Sequence, residues 1–117
     1  MPGVVPEGQW QVNNPDNEHF WNPIEVIEQV RIPVLAFFGE EDTQVDPIQG
    51  AHAYRAALER AGNPNFRVEI IPGADHLMLL AETGCIDETH QRLQSGEWTI
   101  VPEILDTLEE WLRGLRR

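Results

Sequence analysis

The sequence predicts an α/β fold: two parallel strands, at about residues 33–38 and 66–71, with flanking helices. Three observations predict it. Pro33-Val-Leu-Ala-Phe-Phe38 is an unbroken apolar run that stops at Gly39, the composition of a strand covered on both faces. Phe66-Arg-Val-Glu-Ile-Ile71 alternates apolar with charged residues, as a half-exposed edge strand does. Between them lies a helical segment long enough to cross back over the sheet, so the strands are expected to be parallel, joined by a right-handed connection.

Taken in order, residues 1–22 are rich in Pro, Gly, Asn and Gln without sustained period and read as an extended or disordered lead-in. Residues 23–117 form the single domain that a chain of 117 residues can hold. Pro23 opens a short helix in which Ile24, Ile27 and Val30 recur near helical spacing. After the first strand, Asp46-Pro47 reads as an N-cap followed by proline at the first helical position. Ile48, Ala51, Tyr54, Leu58 and Ala61 then repeat at helical period until Gly62-Asn63-Pro64 breaks it. Beyond the second strand, Leu77–Ala81 reads as one helical turn, followed by a polar loop through Gly84 and Gly96. Pro102 opens a last helix whose Ile104, Leu105, Leu108, Trp111, Leu112 and Leu115 make one apolar stripe. Arg113, Arg116 and Arg117 sit in its last turns, where the helix dipole favours cations.

Composition narrows the function classes. An apolar fraction of 41% suits a globular core, and no apolar run is long enough to span a membrane. Twenty acidic residues against eight basic ones, all arginine, give a net charge of −12. That balance disfavours nucleic acid and anionic membrane as partners. It serves solubility, with an acidic surface for a cationic substrate as the alternative. The start has no signal-peptide pattern, so the chain as it stands reads as soluble and cytoplasmic, while the localisation of any longer protein stays unknown. Cys85 is the one cysteine, and His19, His52 and His90 have no companions at ligand spacing, so neither a disulfide nor a metal site is expected.

Two loops carry the chemistry. Gly39-Glu-Glu-Asp42-Thr-Gln-Val45-Asp46-Pro47 and Pro72-Gly73-Ala74-Asp75-His76 each leave the carboxyl end of an expected parallel strand, where ligands bind in open α/β sheets. A carboxylate from the first and an imidazole from the second can meet there. Such a pair orients the histidine and stabilises its cation while it takes a proton from a nucleophile. Glu40 and Glu41 compete with Asp42 as the acid; Asp46 is better explained as the helix N-cap, and Asp75 as a solvated loop carboxylate.

Those two segments resemble the late strand-and-turn units of α/β-hydrolases, the first delivering the triad acid and the second the histidine. The likeness runs over about residues 20–115. Trp21-Asn-Pro23 through Arg31-Ile-Pro33 looks like the stretch before the acid strand, and Pro102–Leu115 like the closing helix. It is nearest to the esterase and prolyl-oligopeptidase-related branch. The family's Gly-x-x-Asp spacing selects Asp42, and the resemblance makes Asp42 and His76 the catalytic acid and histidine, with no cofactor. The fold it implies is a partial α/β-hydrolase fold without the N-terminal strands and nucleophile elbow.

That elbow, Gly-x-Ser-x-Gly, does not occur in this sequence. Ser95 lies in Leu93-Gln-Ser-Gly-Glu97, after the histidine and with no strand before it. Cys85 is the more nucleophilic rival, yet it too follows the histidine and lacks an elbow. The expectation is therefore the C-terminal part of a carboxylesterase or peptidase-type serine hydrolase, inactive alone. Ester or peptide substrates belong to the complete enzyme. The first strand has no evident partner on its other edge, so a homodimer or a missing N-terminal hydrolase half is expected to cover it. A non-catalytic, self-associating or complementing module is the alternative.

Overall fold

Described residues of the computed structural model run from Asn22 to Arg116. All but the last residue of the expected lead-in, and with it His19 and Trp21, lie outside them, as does Arg117. Asn22 caps helix α1 (Pro23–Ile27), its side chain accepting from the Ile24 amide at 3.1 Å. Strand β1 (Val34–Gly39) leads into α2 (Pro47–Arg60), and β2 (Phe66–Ile71) follows. Asp46 starts α2 as its sequence implies, accepting from Ile48 N and Gln49 N.

The two strands pair in parallel, in a register running from Val34 against Phe66 to Gly39 against Ile71. Alternation along the strands then sorts side chains to opposite faces. Val34, Ala36, Phe38, Phe66 and Val68 pack with Ala51 and Leu58 of α2 and with Ile27 of α1. On the other face, Phe37 and Ile71 pack with Ala74, Val101 and Ile104 at the start of helix α4 (Pro102–Leu115). Helices thus flank both faces of a two-stranded parallel sheet, a small partial α/β fold.

A buried amide joins the amino ends of the strands. Asn63 Nδ2 donates to the carbonyls of Val30 (3.0 Å) and Ile32 (2.8 Å), while its Oδ1 accepts from Asn65 N. One side chain therefore ties the approach to β1 to the approach to β2 through three backbone groups.

Five expectations are corrected. Val34–Phe38 are only half-buried, because β1 pairs with β2 alone among the described residues and its other edge is open. Ile48 is 72% exposed, since it lies in the first turn of α2 beyond the reach of the sheet. Leu77–Ala81 is not helical; isolated bridges Ala74–Leu80 and Leu79–Ile100 hold it as an irregular loop. The polar stretch after Gly84 contains a helix, α3 (Ile86–Ser95), closed by Gly96 in the left-handed conformation. Finally, the α4 stripe divides. Ile104 is buried and Trp111 half-buried, whereas Leu105, Leu108, Leu112 and Leu115 face outward.

Candidate active site

The carboxyl ends of β1 and β2 bring the two chemical loops into direct contact. Gly39 closes β1 with its Cα against the Ala74 and Asp75 carbonyls; a Cβ would overlap both, so only glycine lets the loops converge here. Glu40 N donates to Ile71 O at 3.0 Å and Glu41 N to Ala74 O at 2.9 Å, continuing the strand pairing into the turns.

Asp42 is reached next. Its Oδ1 accepts from the amides of Gln44 (2.8 Å) and Val45 (3.0 Å), which fixes the carboxylate plane. Its Oδ2 lies 2.8 Å from Nδ1 of His76. The Asp42 side chain is 6% exposed and that of His76 39%. A carboxylate can only accept, so Nδ1 is the donor, and in the neutral ring the lone pair is then on Nε2. This arrangement can orient an imidazole as a proton acceptor and stabilise the cation formed when it takes a proton.

The other residues weighed from the sequence lie elsewhere in hydrogen-bonding terms. Glu40 is exposed, and the backbone of Glu41, not its carboxylate, serves the site. Ser95 ends α3, its Oγ donating to Arg92 O and accepting from Glu97 N. Cys85 is the exposed N-cap of α3. Among the described residues no three His, Cys, Asp or Glu side chains gather to hold a metal ion.

Asp75 is the main correction. The sequence suggests a solvated loop carboxylate; the structure buries it completely. Oδ1 accepts from Leu77 N (2.8 Å) and Leu79 N (3.0 Å), and Oδ2 from Thr89 Oγ1 (2.9 Å). Three donors compensate the desolvation that an isolated carboxylate could not bear. The turn they stabilise carries His76 and places Met78 at φ 65°, a conformation that costs energy for a residue with a side chain.

A second brace serves the aspartate turn. The Glu88 carboxylate collects the amides of Glu82, Thr83 and Gly84 at 3.0–3.2 Å. The Glu82 amide does most, with Gly84, Thr83 and Arg92 adding to it, and against the opposing effect of burial they hold the Glu88 carboxyl at about 2, well below its ordinary 4.5. The loop so organised lies against the acid turn. Thr43 Oγ1 donates to Gly84 O at 2.9 Å, and a Cβ on Gly84 would run into the Glu41 carbonyl. Glu88 is the third residue of α3 and reaches back beyond the N-cap to these amides, and Cys85 at the N-cap makes no side-chain cap bond, so no capping-box pattern marked it in the sequence.

Beside the pair opens a cavity of about 920 Å³, walled by Ile24, Phe37, Phe38, Val45, Tyr54 and Met78 and reached by Asp42 and His76. Tyr54 meets Phe38 edge-on, ring centres 5.2 Å apart, which stiffens the α2 wall.

Comparison with known proteins places these residues in context. The family model of the prolyl oligopeptidase family matches residues 6–95. No curated protein and no solved structure matches the chain.

Proposed function

The chain belongs to the prolyl oligopeptidase family, part of the α/β-hydrolase superfamily, and from that premise we propose that it supplies the acid and the histidine of a serine hydrolase. In this reading Asp42 holds the His76 ring by Nδ1. Nε2 takes the proton from a serine hydroxyl as it attacks an ester or peptide carbonyl, and returns that proton to the leaving group. The serine and the oxyanion-hole amides come from an N-terminal hydrolase half, which brings its Gly-x-Ser-x-Gly elbow to the cavity beside His76. The isolated chain has no turnover by this route.

The single observation that carries the reading is the 2.8 Å contact between Asp42 Oδ2 and His76 Nδ1 at the shared end of two parallel strands. Among the described residues β1 has an open edge, which supports it, since further strands of a hydrolase sheet would continue from there. The test is co-expression with the nucleophile-bearing N-terminal half of a family hydrolase, followed by a p-nitrophenyl acetate assay. Saturable turnover that needs both parts and disappears in His76→Ala is expected. Saturable turnover by the chain alone, or an assembled enzyme indifferent to His76→Ala, overturns the proposal.

One observation favours a second reading, a self-associating module without catalysis. The outward leucines of α4 and the free β1 edge form apolar and hydrogen-bonding surfaces that a second copy would cover. Light scattering of the purified chain distinguishes them. A stable homodimer that refuses the N-terminal half favours the module; a monomer that assembles with it favours the hydrolase.

A further inference from the structure

We propose that the first turn of α3 is a clamp that positions the Asp42–His76 pair, with Thr89 acting on the histidine turn and Glu88 on the aspartate turn. The inference rests on the reading of that pair as catalytic and adds residues that touch neither substrate nor nucleophile.

The argument is geometric. Consecutive residues on an α-helix point about 100° apart, so neighbours can serve two different loops. Thr89 is buried and sends its hydroxyl to Asp75 Oδ2 at 2.9 Å. A hydroxyl has one proton to donate, and the longer approach to Cys85 O, 3.4 Å, is the weaker claim on it. Asp75 precedes His76 directly and uses its remaining oxygen to collect Leu77 N and Leu79 N, fixing the backbone on the far side of the histidine. Glu88, one residue before Thr89, gathers the Glu82, Thr83 and Gly84 amides. Gly84 O then receives the Thr43 hydroxyl, and its Cα abuts Glu41. Both turns therefore refer to one rigid turn of helix. The direct pairing of the two turns through Glu40 N and Glu41 N ends at Ala74; beyond it, the 2.8 Å contact between Asp42 and His76 relies on this common reference.

The experiment reads the tautomer of His76 in the full chain. With ring-labelled histidine at pH about 9, where ordinary imidazoles are neutral, two-bond nitrogen–proton spectra report which nitrogen carries the proton. His76 is expected as the Nδ1–H form, with His52 and His90 as internal references. Thr89→Val keeps the shape and removes the hydroxyl; it is expected to lose the Nδ1–H signature of His76 while the references stay put. Thr89→Ser is expected to restore it. Glu88→Gln, nearer the surface, is expected to weaken the same signature from the other side, and carries the test alone if Thr89→Val does not fold. A folded Thr89→Val and Glu88→Gln that both retain Nδ1–H at His76 overturn the clamp. The readout needs no nucleophile, so failed complementation with a hydrolase half would remove the hydrolase reading and leave this result standing.

Discussion

Two regions of this small protein are built to opposite standards. At the carboxyl ends of the strands, side chains that usually face water are enclosed and fully engaged: Asp75 has three donors, Asp42 has two amides and an imidazole, and Glu88 has three amides. On the flank, side chains that usually avoid water are left in it, with Leu105 56% and Leu112 52% exposed and the β1 edge open among the described residues. Internal polar order at the corner costs energy unless partners are present, and here this chain provides them for all three carboxylates, leaving only the buried Nε of Arg92, beside Glu88, without one among the described residues. Among the described residues the flank has no such internal solution. The difference teaches that the geometry of the acid–histidine corner is specified locally, whereas the sheet is not.

The comparison breaks most visibly at the corner. In the reconstituted enzyme, Asp42→Asn is expected to lower kcat about 10⁴-fold by releasing the wrong histidine tautomer. Alanine at Leu108 or Leu112 should leave kcat per assembled site unchanged and reduce only how much enzyme assembles. Steady-state rates normalised by active-site titration separate the two; a kcat loss from the leucines would mean that flank and corner are coupled.

Gly84→Ala sharpens the same contrast in stability. The residue sits at φ 73° with the Glu41 carbonyl against its Cα, so strain and overlap together should cost about 3 kcal/mol in urea unfolding. The glycine at 96, also at positive φ but with open space around it, should cost less when changed to alanine.

Acid gives a third test. Glu88 is held at about 2 in the folded chain against an ordinary 4.5, so its carboxylate contributes stability that is fully present above pH 4.5. That contribution is expected to drain away as pH falls from 4.5 toward 2. Thermal unfolding across this window should show the wild type losing more stability than Glu88→Gln, and parallel curves would contradict the assigned hydrogen bonds. Smallest of all, Leu112→Glu should alter the stability of the isolated monomer by less than about 0.5 kcal/mol. A loss several times larger would show that the flank is already covered within the chain.

The parts legible in the sequence were those that announce themselves over short range. The apolar run ending at Gly39, the Asp46-Pro47 start and the Gly62-Asn63-Pro64 stop each encode their element within a few residues. Asp42 and His76 were singled out because each lies on a loop leaving such a strand and the resemblance to α/β-hydrolases selects them there. Helix α3 was missed since its buried contact is a threonine and not an apolar stripe. Asp75 looked solvated because its hydroxyl partner lies 14 residues further on, in that unrecognised helix. For α4, periodicity says which leucines share a face but not whether anything in the chain lies opposite them.

Asn63 carries a different consequence. Its amide spends both N–H bonds on the carbonyls of residues 30 and 32 and its oxygen on the amide of residue 65, so donors and acceptor are all committed. Aspartate, nearly identical in outline, would aim lone pairs at two carbonyls and supply nothing they need. The strands are therefore bolted together at the end remote from the Asp42–His76 contact by a fitting that tolerates no isostere. This bolt holds the register of the parallel strands at one end, as the turn contacts of Glu40 and Glu41 hold it at the other.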